Sequence, residues 1–114
     1  MKIEQGNIYW YSALGADSVP HPHVVIQDTI LNQTRIETTV VCGITSNMKK
    51  VLWPGYVLLE ENEGNLIKKS LVDISQVLVV KKDELGEFIG KISDERIEQI
   101  FLGMKLLQDL HSGN

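Results

Sequence analysis

Apolar and β-branched residues cluster or alternate in five segments within the first 80 residues, and small polar residues, glycine or proline separate these segments. Alternation with a period of two is typical of a strand that buries one face. The pattern therefore predicts five strands, over residues 7–11, 23–27, 35–45, 56–60 and 70–80. The small, glycine and proline residues of 12–20 predict a loop, and the polar residues of 28–34 predict a break between the second and third strands.

The last quarter of the chain changes to a helical period. Ser93 is suited to cap a helix, and acidic residues follow it in the first turn, where the helix dipole favours them. Apolar residues then recur at helical spacing, at Ile97, Ile100, Phe101, Met104 and Leu107. The sequence predicts a single domain over residues 1–114 that is mainly β (α+β), a small β-barrel with a C-terminal helix and short helical turns.

Composition narrows the class of protein. The 114 residues are 43% hydrophobic and 23% charged, as in an ordinary globular domain. No apolar run is long enough to span a membrane, and no signal peptide is recognisable, so we expect a cytoplasmic protein. One cysteine excludes an intrachain disulfide and a cysteine-based zinc site. A net charge of −4 argues against a protein that coats duplex DNA, but allows a groove for a short single strand.

Six short segments occur in an order and spacing that are characteristic of one protein family. They are QGNIYW (5–10), HPHVVIQD (21–28), VVCGITSN (40–47), PGYVLL (54–59), NLIKKSLV (65–72) and IGKIS (89–93). Together they resemble the MazF/PemK family of bacterial toxins over nearly the whole chain. The resemblance implies an SH3-like barrel, a homodimer, and cleavage of single-stranded RNA without a metal or other cofactor. It also implies a cognate antitoxin protein that blocks the RNA groove.

In that family the RNA 2′-hydroxyl attacks the adjacent phosphorus and leaves a 2′,3′-cyclic phosphate, which requires a base, an acid and charge stabilisation. The resemblance places Thr45 at the hydroxyl that holds the phosphate. The family arginine is absent, because His21 follows Pro20 at the matching place, and the arginines are Arg35 and Arg96. His21 can substitute, because a histidine titrates near neutral pH and is cationic when protonated. Alternatively, catalysis is impaired and the protein binds RNA or a partner without cutting.

Other residues are candidates for secondary roles. Asp17 lies in the 12–20 loop, where relatives carry an acid, and is either a base or a solvated loop residue. Tyr11, at the end of the first strand, is a candidate for stacking on a base. The remaining candidates for RNA contact are Ser46, Asn47, Lys49 and Gln76.

The two histidines of the HPH segment raise the question of a metal site. His21 and His23 are two residues apart, so an extended strand directs both side chains to one face. No third ligand follows at a convincing spacing, so we predict no metal site. His23 is expected to pack at the rim of the barrel.

Two functional hypotheses remain. The leading one is the toxin of a type II toxin–antitoxin system that cleaves messenger RNA as a dimer. The alternative is a catalytically degenerate or CcdB-like member of the same barrel, which binds a protein such as gyrase, or RNA, without cleavage.

Overall fold

The computed structural model describes residues 2–13, 15 and 18–112, the last three by their backbone alone. Six strands form one antiparallel sheet, in the order β4-β5-β3-β2-β1-β6. They are β1 (Asn7–Tyr11), β2 (His21–Val25), β3 (Thr38–Thr45), β4 (Val57–Leu59), β5 (Ser70–Lys81) and β6 (Phe88–Lys91). The helices are α1 (Thr29–Asn32) and α2 (Asp94–Ser112), with 3₁₀ turns at Met48–Lys50, Glu63–Asn65 and Lys82–Glu84.

The mainly β class with a C-terminal helix is confirmed, but the strand count was too low by one. The missed strand, β6, has four residues, and its sequence FIGK contains a glycine and no run of alternation. It is a strand because it pairs with β1, from Asn7 opposite Lys91 to Tyr9 opposite Phe88. Tertiary pairing, and not local propensity, therefore determines this element.

The sheet is curled, so that the turn after β4 reaches the opposite edge strand. Residues Asn62, Gly64 and Asn65 of this turn have positive φ angles of 70°, 59° and 62°. Gly90 in β6 lets the turn lie directly on the strand, because a Cβ at Gly90 would overlap the carbonyl oxygen of Gly64. The Asn65 side chain then donates from Nδ2 to the Ile89 carbonyl at 3.0 Å. This contact brings the β4 and β6 sides of the sheet together.

Apolar side chains on the two faces of the sheet form separate clusters. The cluster between the sheet and α2 includes Ile8, Val24, Cys42, Ile44, Leu59, Val72, Ile97 and Ile100. The cluster on the other face consists of Ile3, Tyr9, Val25, Val41, Val80 and Leu85. Strands β1, β2 and β3 contribute to both, which fixes their register, since a one-residue slip would exchange the two faces.

The C-terminal helix begins as predicted but buries a narrower face. Ser93 caps it, accepting the Arg96 N–H at 3.2 Å. Ile97 and Ile100 are buried, whereas Phe101 and Leu107 of the predicted face remain 43% and 41% exposed. The reason is that buried Gly103 packs with its backbone directly on the backbone of Gly55. Only a narrow stripe of the helix surface therefore contacts the rest of the protein.

Two strands begin at other residues than predicted, and the predicted break contains a helix. The second strand begins at His21 instead of residue 23, and the third begins at Thr38 instead of residue 35. The predicted break contains α1, which Asp28 caps by accepting the Ile30 N–H at 2.8 Å. No helix within the described residues combines the length and apolar character needed to cross a membrane.

Candidate active site

The start of β2 and the end of β3 meet at one corner of the sheet. The two strands are antiparallel, with His23 opposite Gly43 and Val25 opposite Val41. If this register is continued by two residues toward the start of β2, His21 lies opposite Thr45. Residues that lie opposite each other in neighbouring strands point to the same face of the sheet. The His21 imidazole and the Thr45 hydroxyl, both predicted from the sequence to belong to the site, are therefore neighbours on adjacent strands.

Two cavities adjoin this corner, and His21, Ile44 and Thr45 line both. The large cavity, of about 490 Å³, is bounded further by Trp10, Pro22, Ser46, Asn47, Asn65, Leu66, Ile67, Lys68, Ser70 and Ile89. The small cavity, of about 250 Å³, is bounded further by Ala13, His23, Gly43, Asp73 and Gln76.

The Thr45 hydroxyl is oriented by the chain that follows it. Thr45 Oγ1 accepts the Asn47 N–H at 3.1 Å, which commits one of its lone pairs. Within the described residues its O–H proton makes no hydrogen bond, so it is available to a ligand. Asn47 in turn caps the Met48–Lys50 turn by accepting the Lys49 N–H at 3.1 Å.

His23 is buried and held in one tautomer. Its Nδ1 lies 2.8 Å from the His21 carbonyl oxygen, which can only accept, so Nδ1 carries the proton. The Tyr11 ring packs edge-on against the imidazole at a centroid distance of 5.3 Å. Burial lowers the pKa of His23 below its ordinary value, and the hydrogen bond to His21 opposes this only in part. His23 is therefore a neutral imidazole whose Nε2 is an acceptor.

A wide bulge in β5 forms the floor of the small cavity. Cys42 pairs with Val77 but the next residue, Gly43, pairs with Asp73, so three residues of β5 loop out. Cys42 is buried, its thiol donates to the Asp73 carbonyl at 3.0 Å, and burial raises its pKa to about 12. The bulge places Asp73 and Gln76 at the cavity and keeps the thiol out of it.

The structure brings most of the predicted site residues together. His21 and Thr45 line both cavities, Ser46 and Asn47 line the large one, and Gln76 lines the small one.

Two predicted residues in the described part of the chain stand apart from this group. Tyr11 packs on His23, and Lys49 lies on the Met48–Lys50 turn outside both linings. Asp17 lies outside the described residues, so its predicted role as a base stays a prediction.

Three residues at the corner were missed by the sequence reasoning. Trp10 is 40% exposed and lines the large cavity, while its neighbour Tyr9 is buried, and strand alternation alone could have distinguished them. His23 was expected only to pack, although it also borders the small cavity. Asn65 carried no signal, because only the curling of the sheet brings its turn to the cavity.

Neither arginine lines either cavity. Arg96 Nε and Nη2 donate to the two Glu63 carboxylate oxygens at 2.7 and 3.0 Å. Burial raises the pKa of Glu63, but the Arg96 hydrogen bonds and the Glu60 N–H outweigh it, so the net shift is downward. Arg35 is exposed in the segment before β3. Positive charge at this corner can therefore come from Lys68 or from the histidines, but not from an arginine.

The sequence matches a family model over residues 4–107, and that model describes the PemK-like, MazF-like toxin of type II toxin–antitoxin systems. The match covers most of the chain. The chain belongs to the PemK/MazF toxin family.

Curated PemK/MazF relatives are named for their activity. The chain is 28% identical to endoribonuclease MazF2 of Mycobacterium bovis, over 96% of this chain and 100% of the relative. It is 26% identical to endoribonuclease MazF of Staphylococcus saprophyticus, over 80% of this chain and 75% of the relative. The family membership confirms the resemblance seen in the sequence and favours the endoribonuclease hypothesis over the CcdB-like one.

Solved structures share the fold. A mycobacterial endoribonuclease in complex with its cognate antitoxin has a TM-score of 0.77 at 16% identity, covering 95% of this chain and 96% of that one. MazF of Deinococcus radiodurans has a TM-score of 0.75 at 15% identity, covering 95% and 97%. The curled sheet with its C-terminal helix is therefore the PemK/MazF fold.

Proposed function

We propose that this PemK/MazF family member is an endoribonuclease toxin that cleaves single-stranded RNA, without a metal, at the His21–Thr45 corner. The observation that carries the proposal is that both side chains line the same two cavities on neighbouring strands. The curated relatives are named endoribonucleases, which supports the reaction class.

The scissile phosphate lies against Thr45 in this proposal. The Thr45 O–H donates to a non-bridging phosphate oxygen, because this proton makes no hydrogen bond within the described residues while the Asn47 N–H orients the oxygen. Protonated His21, which is exposed and faces the same space, places positive charge beside the phosphate. Together they stabilise the extra negative charge that develops on the phosphoryl oxygens.

Proton transfer uses two histidines in different states. The RNA 2′-oxygen attacks phosphorus while its proton passes to a base, for which His23 Nε2 is the candidate among the described residues. The bond from phosphorus to the 5′-oxygen breaks, and that oxygen takes a proton from His21. The products are a 2′,3′-cyclic phosphate and a free 5′-hydroxyl. The fixed Nδ1–H tautomer leaves His23 Nε2 as the acceptor, and the lowered pKa keeps the ring in the unprotonated form that a base requires.

We further propose that the protein acts as a cytoplasmic homodimer and is neutralised by a cognate antitoxin. The support is family membership, together with the mycobacterial endoribonuclease that was solved in complex with its cognate antitoxin.

Cleavage of a long single-stranded RNA by the purified protein, with and without a chelator, tests the proposal. We expect fragments that end in cyclic phosphate and a rate that the chelator does not change. Thr45→Ala should lower the rate by about 10²- to 10³-fold, because it removes a donor to the developing charge. Thr38→Ala, at the other end of β3, is the matched control and should leave the rate unchanged.

Two results would contradict the proposal. RNA that stays intact at high protein concentration would exclude the nuclease activity, and inhibition of gyrase by the same sample would favour the CcdB-like alternative. Equal rates for Thr45→Ala and the wild type would move the phosphate away from this corner.

A further inference from the structure

The large cavity has walls that the proposed cleavage step does not use. Trp10, Asn65, Ile67 and Ile89 line it and do not border the small cavity. Its volume of about 490 Å³ is within the range of about 300–1,000 Å³ that is usual for small-molecule sites. Because His21 and Thr45 also border it, a group bound there lies directly beside the proposed scissile phosphate.

The backbone of Trp10 is fixed by hydrogen bonds, and the residue is 40% exposed. Its backbone N–H donates to the Glu87 carbonyl at 3.0 Å, and its carbonyl accepts the Gly86 N–H at 2.7 Å. A Cβ at Gly86 would lie 2.8 Å from the Trp10 carbonyl oxygen, so glycine permits this close approach. An indole whose backbone is anchored at the edge of a cavity is a platform on which a flat ring can stack.

Asn65 presents an oriented hydrogen-bond acceptor to the same cavity. Its Nδ2 must be the atom that lies 3.0 Å from the Ile89 carbonyl, because a carbonyl only accepts. Its Oδ1 is consequently turned away from Ile89. Asn47 is the converse case, since its Oδ1 accepts the Lys49 N–H and its Nδ2 remains a donor. Among the described residues, neither Asn65 Oδ1 nor Asn47 Nδ2 makes another side-chain hydrogen bond.

This combination of walls matches the chemistry of a nucleobase, which has apolar faces and an edge of donors and acceptors. Trp10 and Ile67 supply apolar surface, Asn65 and Asn47 supply an acceptor and a donor, and the Lys68 cation lines the same cavity. A peptide side chain of similar size would use the apolar surface, but it would leave the oriented amides unpaired.

We propose that the large cavity binds one nucleobase next to the scissile phosphate, with Trp10 stacked on the base and Asn65 Oδ1 accepting an N–H from its edge. This rests on the proposed function for the position of the phosphate. Asn65 is then a specificity-determining residue, because a base without an N–H at that edge would leave its oxygen unsatisfied.

Sequencing of the cleavage sites in a random RNA pool tests the assignment. Trp10→Ala should lower kcat/KM at the preferred sites by roughly 5- to 100-fold, as expected for the loss of one stacked base. Asn65→Ala should flatten the base preference at a single position beside the cut. Asn62→Ala is the matched control, since Asn62 has the same residue type and positive φ in the same turn but does not line the cavity. Unchanged preference in both Trp10→Ala and Asn65→Ala would overturn the proposal.

A binding measurement separates this proposal from the cleavage reaction. The chain has two tryptophans, so Trp53→Phe leaves Trp10 as the single reporter. Short oligomers of A, C, G and U should quench its fluorescence to different extents, and Asn65→Ala should remove the difference. That result supports the pocket even if the protein cuts no RNA. If all four oligomers quench the fluorescence equally, or none does, the cavity does not select a base. The same conclusion follows if N-acetylphenylalanine amide saturates the signal in their place.

Discussion

The two cavities that share His21 and Thr45 are built from different parts of the chain and from different chemistry. The small cavity is lined by paired strands and the β5 bulge, and it gathers two histidines and Asp73. The large cavity is also lined by β1, β6, the turn after β4 and the chain that follows β3, and it combines apolar walls with two asparagines, two serines and Lys68. One has groups that transfer protons, and the other has surfaces that fit a flat ring.

This difference indicates that the two cavities have different roles, one in the chemical step and one in base recognition. The walls of the small cavity are fixed by β-sheet hydrogen bonds, which suits groups that must be positioned for chemistry. The walls of the large cavity include a turn with three positive-φ residues, and turns tolerate substitution better than paired strands. Changes in one cavity should therefore alter rate, and changes in the other should alter base preference.

The largest expected effect is at the corner that the two cavities share. His21→Ala should lower the cleavage rate by about 10²- to 10⁴-fold without changing the base preference, because it removes the acid and its charge. His21→Arg should recover part of the rate, since arginine restores the cation but does not release a proton. Rates and cleavage sites would be measured on one RNA pool. A shifted base preference in His21→Ala would contradict the separation of the two cavities.

A smaller effect is expected where the turn after β4 lies on β6. Gly90→Ala would force the turn outward, because its new methyl group overlaps the Gly64 carbonyl. Overpacking of this kind costs about 1–3 kcal/mol in unfolding free energy, measurable by urea denaturation. Because the turn carries Asn65, the base preference should change as well.

Gly103→Ala is the matched control for this variant. It creates a comparable overlap with the Gly55 carbonyl, between α2 and the segment before β4. We expect a similar loss of stability and no change in base preference. A changed preference in both variants would mean that destabilisation alone, and not the turn, alters recognition.

The smallest expected effect is the pH dependence of stability due to His23. Its pKa is lowered in the folded state, so as pH falls through about 6.5 the unfolded chain takes up the proton first. The unfolding free energy should therefore be undiminished above that pH and decrease as pH falls toward the folded pKa. Urea denaturation at several pH values would show this slope, and His23→Gln should reduce it. Parallel profiles for the two proteins would contradict the burial of a neutral imidazole.

The sequence was sufficient for the parts of the site that lie within long strands. Thr45 closes a strand that its β-branched run predicts, and His21 precedes an apolar run, so both could be placed at strand ends. Their proximity follows from the antiparallel register, which hydrophobic patterning determines when both faces are buried. The family resemblance then indicated which strand ends belong together.

The sequence was insufficient wherever long-range contacts decide local structure. β6 has too few residues for periodicity, and its pairing with β1 defines it. Asn65 reaches the cavity because Gly64 and Gly90 allow two backbones to touch, and neither glycine carries a pattern that indicates its partner. The bulge in β5 was missed for a different reason: the apolar positions change parity across it, from Val72 and Ile74 to Val77 and Val79, and the change was not taken as a break in the strand.

The buried thiol beneath the β5 bulge provides an internal measure of how often this corner opens. Cys42 is the only sulfhydryl in the sequence, it is fully buried, and its thiol donates to the Asp73 carbonyl. A thiol-specific reagent can reach it only when the packing around Cys42 opens locally, either between β3 and β5 or between the sheet and α2. The rate of its chemical labelling therefore measures how often the protein opens locally around Cys42. Slower labelling in the presence of RNA would show protection by bound RNA without an added probe.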